Sequence, residues 1–294
     1  MYYLTIAKSY RNQALLAAFA LISLLPTWAA QVSDGRVTVS MTASGNYQVA
    51  SSITGWTFGG SLPNATTQLS TSTGSDSVGA YQQISFSWLD ASSRQMTGTI
   101  NLYTGQDTIA FSDTLIAASV TAPSPFPNFT TLPQGLSFFG YDDNTYFAPP
   151  HFSVGSGSMP WVFFDSSAHT VIFSPASHFI PAQLVGDGKT RMASGFRSSV
   201  ANPPAGFTQK TIMSLSTGIN HTFNIWGLAL TNLYHKTRPA YDVDDILRYY
   251  GYWTDNGAVY YYNYNKSATV SGESAYEATL QNVITDFTQK GIPV

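Results

Sequence analysis

The residues of this chain best suited to chemistry lie in one aromatic and acidic run, Tyr250-Gly251-Tyr252-Trp253-Thr254-Asp255-Asn256-Gly257-Ala258. Strand alternation puts Gly251, Trp253 and Asp255 on one face. An indole offers a broad apolar face that suits the C–H face of a sugar ring, and a carboxylate at the strand end accepts sugar hydroxyls. Tyr252 beside them makes a third candidate contact. The same residues admit a second reading. Asn256-Gly257 is the strongest two-residue hairpin signal, and in a plain hairpin Trp253 is core and Asp255 a turn residue. The helix signal and Gly291 that follow favour a strand of a β/α unit over the plain hairpin.

Other acidic and imidazole groups are less suggestive. Asp142 and Asp143 follow Gly140-Tyr141, where Asp-Asp-Asn is also a common turn sequence. Asp242, Asp244 and Asp245 lack the loop glycine and distal glutamate of a calcium-binding loop and read as the solvated start of a helix. The histidines at 151, 169, 178, 221 and 235 show no ligand spacing, so no metal site is expected. Neither a Gly-x-Ser-x-Gly elbow, nor a phosphate loop, nor a dinucleotide fingerprint occurs, and no cofactor is expected. Tyr260, Tyr261, Tyr262 and Tyr264 line a subsite or cover an inter-domain junction.

The elements that must position these residues fall into two kinds. From Val37 to about Phe173 the apolar period is mostly two, the mark of half-buried strands. Ile84, Phe86 and Trp88 alternate with Gln83, Ser85 and Ser87; Met96, Ile100 and Leu102 alternate with Thr97, Thr99 and Asn101. This predicts an antiparallel meander with one wet and one dry face. Trp161 to Phe164 and Val171 to Phe173 read as a buried hairpin, whereas the Pro/Thr-rich stretch 121–133 reads as a surface loop. So many strands need two packed sheets, a β-sandwich. Near residue 220 the period changes, and Phe223, Trp226, Gly227, Leu230 and Leu233 mark one face of a linking helix. A second helix carries Tyr276, Leu280, Val283, Ile284 and Phe287, with a capping box at Ser274 to Glu277, Lys290 in its last turn and Gly291 as terminator. Ile292-Pro293-Val294 then reads as the start of an apolar strand. With a strand from Arg248 to Asp255, this spells a βαβ unit. Parallel strands are normally buried by further strands and helices, so the sequence is read as part of a longer protein.

The 294 residues carry 10% charged and 44% hydrophobic side chains and a net charge of -3. No basic excess points to nucleic acid. Cysteine is absent, which removes disulfides and thiolate metal sites. Lys8 and Arg11, the apolar stretch from Ala14 to Leu25, Pro26 and Thr27-Trp28-Ala29 have the order of a cleaved signal peptide, too short to span a bilayer. Secretion without stable membrane insertion is expected, and four N-glycosylation triplets begin at Asn64, Asn128, Asn220 and Asn265. The expected organisation is a signal peptide over 1–29, a β-sandwich over 30–218, a linking helix and connector over 219–240, and the start of a β/α barrel over 241–294.

The run from Tyr250 to Ala258, followed by a helix and by Lys290-Gly291-Ile292-Pro293-Val294, resembles the barrel opening of the α-galactosidase and raffinose-synthase group of glycoside hydrolases, and similarly that of the α-glucosidase and α-xylosidase group. The resemblance implies a supersandwich-like N-terminal domain before a (β/α)8 barrel, and an oligosaccharide or polysaccharide substrate. It places Trp253, Asp255 and Tyr252 near that substrate, with Asp142 and Asp143 on a sandwich loop reaching the barrel mouth. In those families the catalytic Asp pair sits on later barrel strands, so the acids are expected beyond Val294 and this chain by itself is expected to be inactive. The protein is thus expected to be the N-terminal part of a secreted glycosidase or transglycosidase acting on α-linked sugars. The alternative is a non-catalytic secreted sandwich that binds glycans or cell walls.

Overall fold

The computed structural model describes residues 28–142, 151–152, 159–240, 243–244, 248–249, 269–270 and 273–293. The chain divides into two compact units, Met1–Lys236 and Thr237–Val294. The first unit is mainly β, as the alternating pattern predicts, and consists of two antiparallel sheets packed face to face.

One sheet has seven strands: β1 (Ala30–Ser33), β2 (Val37–Met41), β3 (Asn46–Ser51), β4 (Thr57–Ser61), β9 (Asn128–Thr131), β15 (Met192–Phe196) and β14 (Ala182–Gly186), in that spatial order. The other has nine: β11 (His151–Phe152), β10 (Ser137–Asp142), β12 (Trp161–Phe164), β13 (His169–Pro175), β16 (Thr208–Thr217), β8 (Thr108–Leu115), β7 (Gln95–Tyr103), β6 (Ala80–Leu89) and β5 (Thr67–Ser75). The meander β6–β7–β8 follows the predicted alternation, with Ile84 opposite Ile100 and Ile100 opposite Phe111 on the buried face. Gly98 is required on that face. A Cβ there would lie 2.7 Å from the Phe86 ring and 2.8 Å from Trp88. The predicted hairpin is β12–β13, with Phe163 opposite Val171.

The segment 121–133 is not the surface loop its composition predicts. It holds β9 inside the seven-stranded sheet, and Phe126 and Phe129 are buried in the main core. Phe129 meets Tyr47, Phe58, Phe111 and Phe173 at ring-centroid distances of 5.7–6.1 Å, mostly edge to face, a geometry aromatic pairs prefer. Burial of two phenylalanines outweighs the turn propensity of their Pro and Thr neighbours.

Helix α1 (Ile219–Leu233) ends ahead of Pro239 and belongs to the first unit. It lies on the outer face of the nine-stranded sheet. There Trp226, Ala229, Leu230 and Leu233 pack with Val78, Tyr103, Ala176 and Ile212. Its start has Gly218 as N-cap with no side-chain cap. The Trp226 Nε1–H donates to Ser174 Oγ at 2.8 Å, and the Tyr234 hydroxyl donates to the Ala176 carbonyl at 2.6 Å.

The second unit, in its described part, holds a two-residue hairpin, β17 (Thr269–Val270) with β18 (Glu273–Ser274), and helix α2 (Ala275–Gln289). The helix ends as the sequence predicts. Gly291 has φ +66°, its N–H donates to the Thr288 carbonyl, and the Ile292 N–H reaches back to the Phe287 carbonyl, which is a Schellman motif. Lys290 bonds Asp286 at 2.8 Å. Two expectations are corrected. Arg248 donates to the Asp244 carbonyl in a helical turn, so no strand begins there. Ile292 and Pro293 run as irregular backbone rather than strand. Residues 250–255 lie outside the described residues. No helix among the described residues is long and apolar enough to cross a membrane.

Candidate functional site

The turns of the first unit gather at two ends of the sandwich. At one end, the β1–β2, β3–β4, β7–β8 and β12–β13 turns meet the start of α1. At the other lie the β2–β3, β6–β7 and β13–β14 connections, the C-terminus of α1 and the tip of the β10–β11 pair.

That tip carries the one predicted substrate-binding residue that falls on a described element. Asp142 is the last residue of β10 and stands opposite His151 of β11, with Tyr141 opposite Phe152. The strand is fixed below the tip by aromatic packing on both faces. Phe138 packs against the core beside Phe163, and Phe139 stacks on Phe223 of α1 at 6.2 Å and 24°. Asp142 and His151 thus pair across the two strands at the end of the sandwich where α1 finishes. Asp143, Tyr252, Trp253, Asp255 and the tyrosines from 260 to 264 lie outside the described residues, as does Asn265.

The same end contains an ion pair that the sequence reading did not single out. Arg94 reaches Asp90 Oδ2 through Nε at 2.9 Å and Nη2 at 2.5 Å, and also donates to Ser119 Oγ and to the Thr121 and Ala122 carbonyls. Burial alone would raise the Asp90 carboxyl. The Arg94 guanidinium and the N–H groups of Arg94, Ser92 and Ser124 outweigh it and hold the carboxyl below its ordinary value. This strap ties the 116–124 segment to the β6–β7 turn. Of the triplet asparagines, Asn64 is exposed but its Nδ2 donates to the Leu89 carbonyl at 2.9 Å. Asn128 is half-buried and accepts from Arg191 Nε at 2.9 Å, and Asn220 is exposed in the first turn of α1.

At the opposite end, Asp165 and His169 form a carboxylate–imidazole pair of 2.9 Å, and the His169 ring meets Trp56 edge-on at 6.2 Å. Asp165 Oδ1 also accepts the N–H groups of Ser167 and His169, so this carboxylate shapes the β12–β13 turn. Arg36 pairs with Asp107 at 2.7 Å, while Asp107 Oδ1 is buried without a partner. The signals were legible only in part: Asp165 and His169 flank a Ser-Ser-Ala turn, but Arg36 and Asp107 are too far apart in sequence to be paired by inspection.

Between the sheets sits Asp113. It shares the inner face of β8 with Ile109, Phe111 and Leu115, and its Oδ1 is buried without a hydrogen bond. Burial pushes this carboxyl well above the usual carboxylate range. Opposite it on β16, Gln209 Nε2 donates to Ser194 Oγ and the Gly195 carbonyl, and Thr211 Oγ1 donates to Ser194 Oγ, stitching the two sheets together. Among the described residues no three His, Asp or Glu side chains gather as a metal site.

No known family profile matches the chain, and no curated protein matches it. Solved structures similar to it include the α-N-acetylgalactosaminidase NagBb from Bifidobacterium bifidum, at 8% identity and a TM-score of 0.43 over 70% of this chain and 39% of that one. A β-arabinopyranosidase is similar at 10% identity and a TM-score of 0.46, over 64% of this chain and 40% of that one. The chain thus spans about two-fifths of the length of each.

Proposed function

We propose that this chain supplies the β-sandwich and the first strand–helix unit of a secreted carbohydrate-active enzyme, a glycosidase or transglycosidase acting on α-linked sugars. The observation that carries the reading is the order of elements: a two-sheet sandwich, a helix laid along its nine-stranded sheet, and a second unit whose helix closes at Gly291 in a Schellman motif, an order that the barrel resemblance implies. In this reading Trp253 and Tyr252 stack on the sugar, Asp255, Asp142 and Asp143 accept its hydroxyls, and a carboxylate pair on later barrel strands performs the glycosyl transfer. The exposed Asn64 and Asn220 are the acceptors best placed for glycans.

The test is a panel of chromogenic α- and β-glycosides assayed on the protein expressed from its full-length transcript, beside a glycan array probed with residues 28–294. Hydrolysis confined to α-glycosides supports the proposal. Glycan binding by residues 28–294 with no hydrolysis by the full-length product replaces it with a non-catalytic glycan-binding sandwich.

A further inference from the structure

Strand β5 is the outermost strand of the nine-stranded sheet, hydrogen-bonded among the described residues only to β6. Among the described residues the other edges of the two sandwich sheets are short: β11 has two residues, β1 four and β14 five. β5 has nine. An edge strand presents a row of unpaired N–H and C=O groups, and proteins ordinarily blunt it with charge, proline, a bulge or brevity. β5 reads Thr67-Gln68-Leu69-Ser70-Thr71-Ser72-Thr73-Gly74-Ser75, with neither a charge nor a proline. Its register shift is confined to Thr67–Ser70, and from Ser70 to Ser75 it pairs with β6 without interruption. Ser70, Thr71, Ser72 and Thr73 are all exposed.

We propose that β5 is where two copies of this chain join, edge to edge and antiparallel about a two-fold axis, so that their nine-stranded sheets become continuous. Directly opposed residues of an antiparallel pair share a face. An axis through Ser72 therefore sets Ser72 against Ser72, Thr71 against Thr73 and Ser70 against Gly74. The faces agree, because Ser70 and Ser72 stand opposite Ser85 and Gln83 on the outer face of the sheet, and Thr71 and Thr73 opposite Ile84 and Gln82 on the inner. Opposed Ser and Thr hydroxyls are favourable cross-strand pairs, and an uncharged strand meets no repulsion from itself. A two-fold contact of this kind closes on itself and does not propagate. The strand's own sequence is thus complementary to it, and no charge on it selects a foreign peptide.

Sedimentation velocity over a concentration series of the purified chain tests this. A reversible monomer–dimer equilibrium is expected. Ser72→Lys and Ser72→Glu each place like charges face to face on the axis and weaken the dimer by about fivefold or more. Mixing the two variants restores association as a heterodimer. Both variants melt like the parent, since Ser72 is exposed. A chain that stays monomeric at every concentration, or a dimer that neither variant weakens, overturns the proposal.

Discussion

Replacing Asp113 by Asn tests how the sandwich tolerates a carboxyl in its core. The side chain is 2% exposed, and Oδ1 has no hydrogen-bond partner. Its folded-state proton affinity is raised by burial, whereas the unfolded group titrates near 4. The folded protein therefore holds a proton that the unfolded chain has released. The stabilisation from that proton is fully present below about pH 4 and is lost as pH rises from there through the folded value. Each pH unit in that window costs the parent about 1.4 kcal/mol relative to an uncharged isostere. Asparagine keeps the shape and does not titrate. Urea unfolding of both proteins at intervals from pH 4 to pH 8 is the assay. The two are expected to be closest at pH 4 and to diverge as pH rises, with Asp113→Asn the more stable and its midpoint higher at constant m-value. Parallel stability profiles across that range would refute the reasoning, since they would mean that Asp113 titrates alike in both states.

Arg94→Ala is expected to cost about 3 kcal/mol, because it leaves the buried Asp90 carboxylate without its partner and frees the 116–124 segment; thermal unfolding and proteolysis within that segment read the two effects. Tyr47→Phe removes a buried hydroxyl that donates to the Asn128 carbonyl at 2.9 Å and accepts its N–H at 2.5 Å, so a loss of about 2 kcal/mol is expected in urea unfolding. Gly291→Ala forces a side chain into φ +66° and is expected to destabilise the end of α2 by about 1 kcal/mol, seen as faster hydrogen exchange at the amides of Gly291 and Ile292.

What could be read from the sequence follows from how local each signal is. The β6–β7–β8 meander was legible because alternation of Ile84, Phe86 and Trp88 against Gln83, Ser85 and Ser87 states both the strand and its buried face. The close of α2 was legible because a Schellman motif is set by one glycine at the right place. β9 was not, since Phe126 and Phe129 enter the core through contacts with Tyr47, Phe58 and Phe173, far away in sequence, against the turn propensity of their neighbours. The role of α1 as a cover for the nine-stranded sheet was half legible: its apolar face was visible, but not that Ile212, Ala176 and Tyr103 await it. Of the candidate site, the acids and aromatics could be named. Which end of the sandwich Asp142 occupies was not legible, because that is a property of the strand pairing order rather than of any one segment. The corrected strand starts at Arg248 and Ile292 show the same limit, since a strand exists only where a neighbour supplies its hydrogen bonds.

The most direct test of the carbohydrate-active reading is the length of the native protein. An antibody raised against residues 28–236 should recover from the culture medium a polypeptide longer than 294 residues by roughly 200, enough to complete a barrel, with Asp-bearing strand–helix units after Val294. Recovery of a native polypeptide that ends at Val294 would contradict it.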